Sequence, residues 1–323
     1  MKKKVGLILL SVLAIGIITA MIILSRTEYR NTLFGTSKTE TKASNNTVSW
    51  DISAASSDSV TATFDIDAES LTISGSGYMK NWSRGSDVPW YTYVQRTSGG
   101  YETISELTIG SGVKNIGDYA FFANDQNYMR IRNLTIPNTV TAIGKYSFYG
   151  WSGGLDTDLT IPSSVTTIGD YAFCELGWAL NATVSTRYIN IPSSVTSIGV
   201  GAFAKTHYGA GYGDVNVTIN SANSNYSTDG KVIFNKQKTE LVQYVGNFYN
   251  YTIPSTVTTI KDKAFYIYNE SGSDTYTITI PSSVTSIENE AFYFNKKLSD
   301  ISIPNSVTYV GKDILRRIKF KFF

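Results

Sequence analysis

Residues 159–173 read LTIPSSVTTIGDYAF, and four other stretches repeat almost the same text. They are LTIPNTVTAIGKYSF from Leu134, INIPSSVTSIGVGAF from Ile189, YTIPSTVTTIKDKAF from Tyr251 and ITIPSSVTSIENEAF from Ile278. In LTIP, Leu159 and Ile161 alternate with Thr160, the period of a short strand with one apolar face. Pro162 ends that strand because it has no N–H to donate. Val165 and Ile168 turn inward again, Gly169 allows a left-handed corner, although Lys261 and Glu288 at that position in later units mean that positive φ is not obligatory there, and Ala172 and Phe173 close the turn. Each unit thus offers five or six apolar side chains, worth about 1.5–3 kcal/mol apiece when buried. No single unit can bury them, so neighbours must stack above and below.

Marking each unit at its IP proline position gives Gly110, Pro137, Pro162, Pro192, Asn220, Pro254, Pro281 and Pro304, with steps of 27, 25, 30, 28, 34, 27 and 23 residues. Periods of roughly 20–29 residues with L-x-I belong to leucine-rich and related solenoids, and about three units make a stable stack. One unit departs: residues 216–250 lose the SSVTTIG–AF text and carry Asp229-Gly230 between apolar runs, a hairpin signal.

The recurring IPSSVTxIGxxAF text resembles the BspA-like leucine-rich repeats of microbial surface antigens. SLTISGSGYMKNW with the following VPWY resembles that family's N-terminal β-cap, and residues 223–244 resemble its recurrent hairpin unit. The resemblance runs from about Trp50 to Asp313. It implies a β-rich leucine-rich-repeat solenoid of short parallel strands with few or no long helices. It also implies a cell-surface protein that binds a host matrix protein, another cell-surface protein or a glycan, without catalysis. A surface hydrolase and a purely structural envelope component are the alternatives.

The ends of the chain say where it works. Val5–Leu24 is an uncharged apolar run of 20 residues behind Lys2, Lys3 and Lys4. That length spans a bilayer as a helix, and the lysines favour a cytoplasmic N-terminus. The reading is a single-pass membrane protein with extracellular repeats, or a secreted one if the segment is a cleaved signal. The domains expected are therefore an anchor at 1–24, a polar spacer at 25–49, a β-cap at 50–105, the solenoid at 106–313 with the hairpin at 216–250, and a basic-aromatic tail at 314–323.

Composition narrows the function. The 323 residues are 42% hydrophobic and only 17% charged, with a formal net charge of +2. Setting aside the three N-terminal lysines and the four basic residues of the tail leaves 21 basic groups against all 26 acidic ones. A mildly acidic body lacks the basic surface that nucleic acid needs. Cys174 is the only cysteine, so there is no intramolecular disulfide or multi-cysteine metal site. His207 is the only histidine and no G-x-S-x-G text accompanies it. Asp65 and Asp67 lack the spacing of a calcium loop, and Asp156 with Asp158 is a minor candidate for one. No cofactor is expected.

Two surfaces are candidates for binding. One is the outward strand column of Thr108, Thr135, Thr160, Asn190, Thr218, Thr252, Thr279 and Ser302, which also reads as a ladder of hydroxyls. The other is the set of Tyr-, Trp- and Gly-rich insertions after each Phe, a composition typical of adaptable binding loops. Trp151, Trp178, His207, Tyr208, Tyr212, Tyr266 and Tyr268 are the candidate ligand-binding residues there, expected on one edge and outside the core.

Overall fold

The computed structural model describes residues 46–315 except for 95, 98–99, 102, 125–127, 130, 152–153, 179–185, 206, 209–213, 247–249, 268–274 and 296–297. The chain divides into two units between Thr41 and Lys42. The readings of 1–24 as an anchor, of the spacer up to residue 45 and of the tail from Arg316 lie outside the described residues. Among the described residues no helix is long and apolar enough to cross a membrane. The helical segments there are two three-residue 3-10 turns, Gly85–Asp87 and Tyr91–Tyr93.

Strand alternation builds the N-terminal end. Thr47–Asp51, Thr61–Asp65 and Ser70–Ser74 form an antiparallel meander. The first of these begins inside the stretch read as spacer. The third pairs in parallel with Glu106–Ile109, so the cap hands its edge to the first repeat. Trp50, Trp82 and Trp90 fill the junction, and Trp90 stacks on Phe121 at 6.0 Å between ring centres.

From there the chain coils, and each coil has three walls. The L-x-I segments form the first, with Leu159–Thr160, Thr186–Ile191 and Asp214–Ile219 paired in parallel. The V-T-x-I segments form the second, with Asn115–Ile116, Ala142–Ile143, Thr167–Ile168 and Ser197–Ile198 also parallel. The A-F segments form the third, held by backbone bonds such as Phe148 N to Ala172 O at 2.8 Å and Phe173 N to Ala202 O at 2.8 Å. In the unit 159–173, Leu159, Ile161, Val165, Ile168, Ala172 and Phe173 are all buried. The phenylalanines stack into a spine: Phe121, Phe148, Phe173 and Phe203 lie 5.1–5.5 Å apart centre to centre.

The second serine of P-S-S also has a fixed task that its polar character alone did not reveal. Its hydroxyl donates to the valine carbonyl of the preceding coil: Ser164 to Val140 at 2.6 Å, Ser194 to Val165 at 2.7 Å and Ser283 to Val257 at 2.8 Å. Such a bond satisfies a carbonyl that the short strands leave over.

Gly169 allows the left-handed corner but does not make it. The left-handed residue is Tyr171, at φ 54°, and its counterparts are Tyr119, Tyr146, Lys263, Glu290 and Asp313. Gly169 is needed for closeness instead: a Cβ there would lie 2.5 Å from the Lys145 backbone nitrogen of the coil below. At Lys261 and Glu288 the same position is filled, and these two side chains pair across coils at 2.7 Å.

The divergent unit forms three antiparallel strands, Tyr226–Thr228, Val232–Asn235 and Glu240–Tyr244. Asp229-Gly230 makes the first turn, with Gly230 at φ 99°. Both faces of the middle strand are buried. Ile233 belongs to the apolar cluster that begins in the cap, whereas Val232 and Phe234 belong to a second cluster running to Ile314. The hairpin therefore stands as a partition between two cores. It closes the first and second walls and meets the third at Tyr244, whose N–H donates to Ala264 O at 2.7 Å and whose ring stacks on Phe265 at 5.7 Å; one position on, Lys205 N bonds directly to Tyr266 O at 2.9 Å.

Candidate interface on the third wall

The left-handed corner decides which side chains of I-G-x-Y-A-F leave the core. Ala172 and Phe173 point inward, so the residue two before the Phe lies at the surface; the one after it is part-exposed at Phe122, Tyr149, Tyr266 and Tyr293 but buried at Cys174 and Ala204. Tyr119, Tyr146 and Tyr171 occupy the first position and are half-buried. Tyr119 stacks on Tyr146 at 4.9 Å and Tyr146 on Tyr171 at 4.8 Å. Phe122 and Tyr149 make a parallel row at 5.1 Å. The coil spacing thus becomes a ring spacing.

The row changes character at Gly201, where a Cβ would come within 2.7 Å of the Tyr171 ring. On this outer row the hairpin supplies no ring, and Lys205 N bonds to Tyr266 O, so the next coil here is 261–267. Lys263 Nζ lies 5.9 Å from the Tyr171 centroid, 5.9 Å from Tyr266 and 5.2 Å from Tyr293. Lys205 Nζ lies 5.4 Å from Tyr266 and 5.2 Å from Phe294. Glu290 pairs with Lys263 and Glu175 with Lys205. Cation–π contacts of this length are attractive, more so where water is excluded. The strip is therefore aromatic, with its charges internally balanced.

Burial pushes the Tyr146 phenol up from 10 to about 12. Burial also raises Tyr149, Tyr171 and Tyr266, and nearby carboxylates or the Cys174 thiol add to each shift. A phenol whose folded pKa exceeds its unfolded value stabilises fully below the unfolded value and loses that contribution as pH rises through the folded one. Stability should therefore hold up to about pH 10 and fall between pH 10 and 12. Phenolate absorbance read alongside melting tests this. The strip tyrosines should ionise only as the fold is lost; titration of all 22 tyrosines as one ordinary wave in a folded protein would contradict it.

The candidate residues from the sequence fare unequally. Tyr266 lies in the strip. Trp151 and Trp178 do not lie outside the core: both are buried, the first at 2% exposure and the second at 1%. Trp151 Nε1 donates to Phe121 O at 2.7 Å, and Trp178 Nε1 to Thr157 O at 2.9 Å. Their indoles close the coil, and their one polar atom is satisfied internally. His207 and Tyr208 lie on a short strand parallel to Gly177–Trp178. Their side chains, with Tyr212 and Tyr268, lie outside the described residues. Tyr119, Tyr146, Tyr149, Tyr171 and Tyr293 were missed. The signal for Tyr119, Tyr146 and Tyr171 was the Y of I-G-x-Y-A-F, recurring inside the repeat, whereas Tyr149 and Tyr293 directly follow the Phe, where the insertions begin.

The remaining candidates are local structure. Asp65 Oδ1 accepts the N–H of Asp67 at 3.1 Å and of Ala68 at 3.0 Å, and so caps a turn. Asp158 Oδ1 accepts Tyr188 N at 3.0 Å, and Asp156 pairs with Arg132 at 3.5 Å. Among the described residues no three His, Cys, Asp or Glu side chains gather into a metal site. Cys174 is buried with its thiol pushed well up by burial, so it is neutral and inert. On the strand face, Thr218 donates to Asn190 Oδ1 at 2.6 Å and Asn190 to Thr160 at 3.4 Å, a self-satisfied ladder.

A family model described as "BspA type Leucine rich repeat region" matches residues 99–210 and 243–323, in six copies. The gap between the two matched stretches holds most of the hairpin unit. Among solved structures, a leucine-rich repeat protein from Eubacterium ventriosum is similar at 28% identity and a TM-score of 0.59, covering 86% of this chain and 72% of that one. The pneumococcal vaccine antigen PcpA gives 23% and 0.49, over 68% of this chain and 56% of its own. A leucine-rich repeat protein from Bacteroides ovatus gives 17% and 0.30, over 82% of this chain and 98% of its own. No curated protein matches the chain.

Proposed function

We propose that this chain, which belongs to the BspA-type leucine-rich repeat family, is a non-catalytic recognition protein of the cell surface. Val5–Leu24 holds it in the membrane with the repeats outside, and the aromatic strip of the third wall is its binding face. The observation that carries this reading is the continuous row of half-buried tyrosines, Tyr119, Tyr146 and Tyr171, at 4.8–4.9 Å spacing. A row of large rings prearranged by the backbone contributes contact area with little ordering entropy, and tyrosine is enriched in interface hot spots. The ring faces are already occupied by one another, so edges and hydroxyls remain for a partner. That favours a protein surface, such as a matrix or cell-surface protein, over a sugar that must stack on an open face.

Full-length protein displayed on cells, offered matrix proteins and glycans in parallel, tests this. Changing Tyr119, Tyr146 and Tyr171 together to Phe keeps the stack and removes the hydroxyls. Attachment to a protein should weaken about tenfold or more, since each hydrogen bond contributes about 0.5–1.5 kcal/mol and 1.4 kcal/mol is a factor of ten, while melting stays within a degree or two. Unchanged attachment removes the strip as the interface. Attachment to glycans alone removes the protein partner, and repeats protected from protease on intact cells remove the surface location.

A further inference from the structure

The repeat sets Tyr119, Tyr146 and Tyr171 as copies of one another. Their backbones share one left-handed corner, at φ 58°, 54° and 54°. Backbone bonds tie each to the next coil: Tyr119 N donates to Lys145 O and Tyr146 N to Asp170 O, both at 2.9 Å. The rings therefore lie in register, with interplanar angles of 10° and 21° and centres 4.9 and 4.8 Å apart. A near-translation of this kind lays hydroxyl over hydroxyl and each ortho carbon over its counterpart.

Other tyrosine pairs of the fold are arranged differently. Tyr146 and Tyr149 are tilted by 51°, Tyr244 and Tyr251 meet edge to face at 78°, and Tyr266 and Tyr293 do so at 65°. Tyr244 is also buried. The three rings of the row keep part of their surface in solvent, so they can swing until two ortho carbons meet.

We propose that the row is a site of oxidative cross-linking, at which a haem peroxidase with hydrogen peroxide joins Tyr146 to Tyr119 or to Tyr171 through a carbon–carbon bond. The oxidised peroxidase takes one electron and one proton from each of two neighbouring phenols. The two phenoxyl radicals pair at their ortho carbons. The hydrogen on each of those carbons then moves to its own ring's oxygen, which restores both phenols. Two hydrogen atoms leave in all, and one peroxide is reduced to two waters. Radicals on rings held in contact need no diffusional encounter, so they couple far faster than radicals on separate chains. The bond staples one coil to the next and restricts the unfolded chain, as a long-loop cross-link does. Coupling depends on the geometry of the row and not on its role as a binding face, so attachment can fail while coupling stands.

The test treats the dilute full-length chain in detergent with a haem peroxidase and hydrogen peroxide, and maps its peptides by mass spectrometry. Dityrosine fluorescence should appear in the single-chain band of a denaturing gel. The cross-linked peptides should join Tyr146 to Tyr119 or Tyr171, lighter by two hydrogens. Tyr146→Phe keeps a stacked ring but leaves the two remaining tyrosines two coils apart, so the yield should fall about tenfold or more. Tyr149→Phe should leave the yield unchanged. Absence of dityrosine from the single-chain band overturns the proposal. So does a link found only between chains, as coupling of the exposed Tyr78, Tyr188 and Tyr309 gives, or an equal yield from wild type and Tyr146→Phe.

Discussion

Phe173→Ala is expected to lower the stability of the cap-side core by about 3–5 kcal/mol, the range for removing a buried phenylalanine. Phe173 is fully buried, with Phe148 stacked 5.1 Å on one side and Phe203 5.5 Å on the other. Coil spacing is held by backbone bonds above and below, so the hole cannot close by local collapse. The cost then sits at the upper end of the transfer-plus-cavity range. Because the hairpin partitions the core, the loss should be uneven. Exchange should quicken through the coils from Phe121 to Phe203, while amides around Phe265 and Phe292, in the second cluster, change less. Stability in stacked repeats is a sum of nearest-neighbour terms, which allows such a split. Thr160→Ser, on the exposed strand face, should stay within about 0.5 kcal/mol. Equal effects of the two changes in denaturant unfolding would refute a stacked core.

Trp178→Ala should rival it, at about 3–5 kcal/mol, although the sequence places Trp178 in an insertion. The indole is buried and its N–H satisfies the Thr157 carbonyl at 2.9 Å. Trp178→Phe separates the two contributions. It keeps most of the apolar area and leaves that carbonyl without its donor, which costs about 1–3 kcal/mol. If both variants unfold at the wild-type denaturant midpoint, Trp178 packs against nothing essential. Loss of attachment without loss of stability would return this tryptophan to a binding role.

The contrast between Trp178 and Tyr171 shows what kind of information each level carries. Both are aromatic residues near the third wall. Tyr171 lies within the repeated text and Trp178 outside it. From composition, the insertion residue is the better candidate for a binding loop. In the fold the positions reverse: the insertion tryptophans turn back to close the coil, and the repeat tyrosines remain half-exposed. No pattern of spacing contains that reversal. It depends on the left-handed backbone at Tyr171, which turns the ring outward, and on acceptors at Phe121 and Thr157 that draw the indoles in.

The inward columns, by contrast, are legible in one unit. Leu159, Ile161, Val165, Ile168, Ala172 and Phe173 are buried because a repeated apolar spacing has one way to face inward when identical coils stack. The strand-ending prolines and the family follow from the same text. Three things needed the tertiary structure. The exchange of Gly169 for Tyr171 as the corner residue depends on how closely the Gly144 and Gly169 segments approach each other. The direct contact of coil 205 with coil 266 depends on a hairpin that touches the third wall only at Tyr244 and leaves its outer row to Lys205 and Tyr266. The aromatic–lysine strip depends on both. The sequence by itself determined what each coil buries, because burial repeats with the text. The tertiary structure decided what each coil shows, because exposure is set by backbone handedness and by neighbours about 30 residues away.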